Sequence, residues 1–147
     1  MPNKLEILIR SAGRLLADHQ TARLFKVPEE MVSTPCDFFG YTNIGRAILL
    51  EAKMVNRPAL PVGVAPGLTK FQWNELRNAN RAGALSLISW CRGLTVATIS
   101  FDMAEAFAAG RKSIPWHKID SKYHRPLSER CKLELLDYWL PLDPVLP

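Results

Sequence analysis

Residues 45–55 read GRAILLEAKMV. Ala47, Ile48, Leu49 and Leu50 form an apolar run that fits a buried strand. Glu51 and Lys53 then interrupt it with opposite charges two positions apart. On a strand, side chains at i and i+2 share a face. The stretch therefore predicts a strand that ends with a carboxylate and an ammonium side by side.

The preceding segment, TPCDFFGY (residues 34–41), supplies a second apolar and aromatic run. A short turn, YTNIG, separates the two, which predicts an antiparallel pair. Pairing would bring Asp37 to the same end of the sheet as Glu51 and Lys53. Two neighbouring carboxylates repel, and one pKa rises unless a cation intervenes. Carboxylate oxygens are hard ligands that suit Mg²⁺ or Mn²⁺. Such an ion can polarise a phosphate and activate a water. Lys53 would place positive charge on the phosphate or orient the attacking water. Taken alone, an E-x-K at a strand end also fits a solvated ion pair.

Outward from this pair, Leu5, Leu8, Ile9, Ala12, Leu15 and Leu16 recur at helical spacing and predict a helix over residues 3–18. TARLFKV (21–27) predicts a first strand, stopped by Pro28. NRPALPVGVAPG (56–67) carries three prolines and reads as a loop. A helix then opens with Thr69 as N-cap and Gln72 as its capping-box partner, with Leu68 and Trp73 as a hydrophobic staple. It runs to about Ala82 and ends at Gly83. ALSLISW and LTVATISF form another strand pair joined by CRG, DMAEAFAAG a short helix, and LSERCKLELLDYWL a last helix. The order predicts an α/β fold with a mixed central sheet flanked by helices, in a single domain over residues 1–147.

The composition agrees with a globular protein: 147 residues, 48% hydrophobic. No apolar run reaches the length of a membrane span. Glu6 and Arg10 break the N-terminal stretch where a signal peptide needs apolar residues. A soluble, cytoplasmic protein is expected. Cys36, Cys91 and Cys131 show no C-x-x-C spacing and read as reduced, structural thiols, not zinc ligands. The net charge of +5 favours a polyanionic partner.

The wider pattern resembles the PD-(D/E)XK nuclease superfamily, and within it the RecU-type and archaeal or phage Holliday junction resolvases. The shared pieces are Asp37-Phe38-Phe39-Gly40, a turn, a strand ending in Glu51-Ala52-Lys53, a Pro-containing loop, a helix opening with Gln72, and the strand pair from Ala84 to Phe101. The resemblance covers roughly residues 20 to 105. It implies a restriction-endonuclease-like nuclease fold and a Mg²⁺-dependent endodeoxyribonuclease. Asp37 and Glu51 would bind the metal with the backbone carbonyl of Ala52, and Lys53 would be the catalytic lysine. Gln72 would sit at the rim of the site; it serves equally as a cap partner. Related archaeal enzymes complete the site with a Glu on the first helix. Glu6 is the candidate here, and it also fits a surface pair with Arg10.

Two features depart from the RecU pattern. The interval from Val27 to Thr34 is too short for the stalk that enters the junction centre, and Pro35 stands where the family tends to have Thr, with Thr34 one position earlier. The stalkless form resembles archaeal or phage resolvases more.

The tail RKSIPWHKIDSKYHRP (111–126) interleaves Arg111, Lys112, Lys118, Lys122 and Arg125 with Trp116, Tyr123, His117 and His124. The basic side chains would hold DNA phosphates. The aromatics would stack on unpaired bases at a branch, or pack into the core. The histidines lack partners at metal spacing and read as DNA-facing or structural. The expected protein is a homodimeric Holliday junction resolvase acting on branched DNA. A less selective branched-DNA or nicking endonuclease is the first alternative, and a catalytically relict DNA-binding module the second.

Overall fold

The computed structural model describes residues 3–28 and 36–140. Thr34, Pro35 and most of the interval that a stalk would occupy lie outside the described residues. Helix α1, Lys4–Asp18, is capped by Asn3, whose side chain accepts the Glu6 amide at 2.9 Å. Its buried stripe is Leu5, Leu8, Ile9, Ala12 and Leu16. Strands β1 (Ala22–Lys26), β2 (Phe38–Thr42) and β3 (Ala47–Met54) follow. Next come β4 (Ala59–Gly63), β5 (Leu68–Thr69) and helix α2 (Lys70–Arg81). Strands β6 (Leu85–Arg92) and β7 (Thr95–Ser100) lead into helix α3 (Phe101–Ala108). Two short strands, β8 (Ser113–Pro115) and β9 (His124–Pro126), complete the described set.

The main sheet has the order β1-β2-β3-β6-β7-β9. Within it β3 and β6 pair in parallel, and the other neighbours are antiparallel. The mixed sheet flanked by helices is the expected fold class. Strand alternation divides the core. Ile48, Leu50 and Ala52 of β3 pack with α1 and the C-terminal Leu135, Leu136 and Leu140. On the other face Leu60, Trp73, Leu76, Ile88, Trp90, Ile99 and Phe101 pack among α2, α3 and β4, with Leu49 against them. Each fully buried side chain of this kind contributes about 1.5–3 kcal/mol. β6 is covered on both faces, so its apolar residues do not alternate with exposed ones.

Gly40 is set by packing. A Cβ there would lie 1.7 Å from the Arg23 carbonyl oxygen, so β1 can approach β2 only across a glycine. Gly83, at φ 98°, follows α2 in the left-handed conformation that closes helices.

Two expectations change. The proline-rich segment 56–67 is not simply a loop: β4 lies inside it and is the middle strand of a second sheet, β5-β4-β8. Pro61 is tolerated because the neighbouring Val62 amide makes the bond to the β8 side, through the Lys112 carbonyl. The nitrogen of Pro61 points the other way, at a level where pairing with β5 has not yet begun. The expected last helix does not form as one unit. Glu129–Leu135 makes two short 3₁₀ turns meeting at a non-helical Cys131. Docking on β7 overrides helix propensity here. The Leu135 carbonyl accepts the Thr98 hydroxyl at 3.1 Å, and Trp139 Nε1 donates to the Thr98 carbonyl at 2.9 Å.

Candidate active site

Glu51 and Lys53 lie on the face of β3 that looks toward α2. The Glu51 side chain is 2% exposed; the Lys53 ammonium is 3.4 Å from its Oε1, and the Lys53 side chain is only 17% exposed. Asp37 comes one residue before β2. The ladder there stops at Phe38 opposite Leu50, so beyond it β2 offers no partner to the Ala52 amide. The Asp37 side chain replaces that partner: Oδ2 accepts from the Ala52 amide at 2.8 Å. The Asp37 carbonyl meanwhile accepts the Val27 amide at 2.8 Å. A strand residue's N–H and C=O point to the same side, so the Ala52 carbonyl also looks toward the Asp37 edge.

Gln72 closes the group from α2. Thr69 Oγ1 accepts the Gln72 amide at 3.2 Å, and Gln72 Oε1 accepts the Thr69 amide at 3.0 Å. This is the expected capping box, with Leu68 and Trp73 buried around it. The other end of the same carboxamide, Nε2, donates to Glu51 Oε1 at 3.0 Å. The two readings of Gln72 are therefore compatible, because each uses a different atom.

The electrostatics centre on Glu51. Oε1 is served by Gln72 and Lys53, whereas Oε2 is buried with no hydrogen-bond partner among the described residues. Burial raises the carboxyl, the neighbouring negative charge of Asp37 raises it further, and Lys53 opposes both; the result is pushed up to about 8. Two acceptor groups facing each other can be satisfied by a proton or by a cation. Cys36 lies in the same field. Burial first, and the Glu51 charge second, push its thiol up to about 12, and Sγ donates to the Phe38 carbonyl at 3.0 Å. It is an unreactive, structural thiol.

The donor set suits a hard divalent cation: the Asp37 carboxylate, the orphaned Glu51 Oε2 and the Ala52 carbonyl on the same edge. Among the described residues no group of three or more His, Cys, Asp or Glu side chains converges in metal-binding range. Glu6 is thus not gathered with Asp37 and Glu51 in this arrangement. It sits in the first turn of α1, a helix packed on the Ile48–Leu50–Ala52 face of the sheet, opposite the face of Glu51.

The tail takes another position. β9 is separated from β3 by β6 and β7, about 14 Å along the sheet. Arg111, Lys112, Lys118 and Lys122 are exposed. Arg125 donates to Asp137 at 3.0 Å and to the carbonyls of Lys122 and His124. The tail's aromatics pack inward. Trp116 meets Trp90 edge-on at 4.9 Å between centroids, and Tyr123 lies against Tyr138 and Trp139. His124 sits against Trp116. By contrast, Phe25, Phe39 and Tyr41 on β1 and β2 stand open to solvent. The sequence signal for two of them is the i, i+2 spacing of Phe39 and Tyr41 immediately after Asp37.

No protein-family model matches this chain, and no curated protein matches it. Among solved structures, Hjc, a Holliday junction resolvase from the archaeal hyperthermophile Archaeoglobus fulgidus, superposes with a TM-score of 0.52 at 18% identity. The match covers 84% of this chain and 97% of that one, and it establishes a shared fold.

Proposed function

We propose that this protein is a metal-dependent endodeoxyribonuclease that resolves four-way DNA junctions by phosphodiester hydrolysis. One observation carries the reading: a buried carboxylate with an orphaned oxygen, flanked by Asp37, Lys53 and Gln72, at the strand end of a resolvase-like fold. A solvated surface ion pair would not bury Glu51 or leave Oε2 without a donor.

Asp37, Glu51 and the Ala52 carbonyl would hold Mg²⁺ or Mn²⁺. When bound, the cation supplies Lewis acidity toward the scissile phosphate and lowers the pKa of coordinated water. The chain's own residues do the rest. Gln72 and Lys53 hold Glu51 Oε1, which leaves Oε2 as the free donor oxygen. The Ala52 amide fixes the Asp37 carboxylate. The Lys53 ammonium stands where charge grows on the phosphate oxygens as water attacks phosphorus and the bond to the leaving oxygen breaks. Exposed Arg111, Lys112, Lys118 and Lys122 would meet phosphates of an outlying arm.

Two matched cuts across a junction call for two sites related by a twofold axis, so the working form would be a homodimer in the cytoplasm. The short connection between β1 and β2 favours a second reading, a less selective nuclease for branched or nicked DNA. Incubating the protein with a labelled four-way junction, a flap and a linear duplex, in Mg²⁺ or EDTA, separates them. Paired, Mg²⁺-dependent nicks confined to the junction are expected. Equal cutting of all three favours the second reading, and no cutting of any rejects both.

A further inference from the structure

The face of β1 and β2 that continues from the acid pair is lined with exposed aromatic rings. Register puts Phe25 opposite Phe39 and Phe39 opposite Leu49 in one row, with Arg23, Tyr41 and Ala47 in the next. The row on the other side is that of Asp37 and Glu51. Phe39 is therefore one two-residue step, about 7 Å, from Asp37 on the same face of the strand. Phe25, Phe39 and Tyr41 are 43%, 50% and 49% exposed. The Phe39 and Tyr41 centroids lie 5.8 and 6.4 Å from that of Phe25 at tilts of 38° and 44°, so ring surface stays open to solvent. α2 and α3 cover β3, β6 and β7 on this side but leave β1 and β2 bare. The rows end in a concavity lined in part by Gln20, Arg23, Tyr41 and Asn43.

We propose that this face is a stacking platform for unpaired nucleobases of the DNA strand whose phosphate enters the active site. The proposal rests on the nuclease reading above and assigns the stacking role to β1 and β2; Trp116 and Tyr123 of the tail are partly buried against Trp90, Tyr138 and Trp139. Three features select this occupant. The rings share a strand face with Asp37, so a strand that leaves the acid pair along this face runs over Phe39. Charge fits as well: Arg23 stands exposed in the row of Tyr41, in position to meet a flanking phosphate. A protein surface laid flat on the same rings would cover the entrance to Asp37. Bases inside an intact duplex already stack on each other, so the platform distinguishes opened DNA from paired DNA.

The test compares full-length wild type, Phe25→Ala/Phe39→Ala and Phe39→Trp by fluorescence anisotropy in EDTA. The probes are a labelled oligothymidylate and a blunt duplex of equal length. Thermal melts confirm folding, which removal of exposed rings leaves in place. The double alanine variant should lose about tenfold or more of its affinity for the oligothymidylate and change less than about twofold on duplex, while Phe39→Trp retains wild-type binding. Unchanged oligothymidylate binding, or equal losses on both probes, overturns the platform. A wild-type dimer that becomes monomeric in the double variant, by light scattering, marks the face as an interface between copies and also overturns it. Junction cleavage by wild type together with unaltered variants would sink the platform alone. A wild type that binds neither probe overturns the platform; only one that also leaves junction, flap and duplex uncut in Mg²⁺ sinks the nuclease reading as well.

Discussion

Gln72 ties the start of helix α2 to the buried Glu51 through the two ends of one carboxamide. Its Oε1 accepts from the Thr69 amide and its Nε2 donates to Glu51 Oε1, both at 3.0 Å. The same side chain that caps a helix thereby fixes which Glu51 oxygen is occupied and which is free.

The two roles can be separated by mutation. Thr69→Ala removes the cap hydroxyl but keeps the Gln72–Glu51 hydrogen bond; it should cost about 1 kcal/mol of stability with little change in cleavage. Gln72→Ala should cost a similar amount and also slow cleavage. Gln72→Glu keeps the Oε1 cap but sets a third carboxylate against Glu51 in place of a donor, so cleavage should fall and stability should drop by about 1–3 kcal/mol. Thermal melts beside single-turnover rates check all three, and full activity in Gln72→Ala would remove it from the site.

Glu51 is placed for function at a cost in stability. Glu51→Gln replaces the buried carboxyl, pushed up to about 8 by burial and by Asp37, with a neutral amide whose NH₂ can donate toward Asp37. In EDTA this variant should be more stable than wild type by about 1–3 kcal/mol, a rise of a few degrees in Tm. Wild type should gain Tm on adding Mg²⁺ or Mn²⁺, because a ligand that binds only the folded state stabilises it. Glu51→Gln should gain far less. Scanning calorimetry of both proteins with and without metal measures the two effects.

Arg125 behaves differently from its neighbours in the tail. Lys118→Ala/Lys122→Ala should weaken DNA binding and reduce the slope of log affinity against log salt by about 0.9 for each phosphate no longer neutralised. Arg125→Ala should instead lower stability by about 1 kcal/mol, since it unpairs Asp137 and frees two carbonyls. Salt titrations of binding and thermal melts distinguish the two.

Local signals in the sequence located most of the fold. Strand alternation around Glu51-Ala52-Lys53, the Thr69–Gln72 capping box and the turn at Gly45 all rest on neighbours within a few residues. The acid pair was legible for the same reason, since a short turn fixes the register that brings Asp37 to Glu51. What failed depends on distant partners. β4 forms because β8, far along the chain, supplies its ladder, and Pro61 faces the β5 side before pairing with β5 begins. The last helix fails because Thr98 and the β7 face draw Leu135 and Trp139 out of helical geometry. Trp116 and Tyr123 read equally as stacking or packed residues until Trp90, Tyr138 and Trp139 are placed against them. The openness of Phe25, Phe39 and Tyr41 depends on α2 covering β3 and not β2, which no local pattern encodes.

The central claim is that Asp37, Glu51 and Lys53 form one hydrolytic centre, separable from DNA binding. Its most direct test is the cleavage rate of a labelled four-way junction in Mg²⁺ by Asp37→Asn, Glu51→Gln and Lys53→Ala, measured beside gel-shift affinity for the same junction. Cleavage should be abolished in the two carboxylate variants and lowered about a hundredfold or more in Lys53→Ala. Affinity should stay close to wild type, because phosphate contacts spread over the surface supply it. Near-normal cutting by Glu51→Gln would contradict the account.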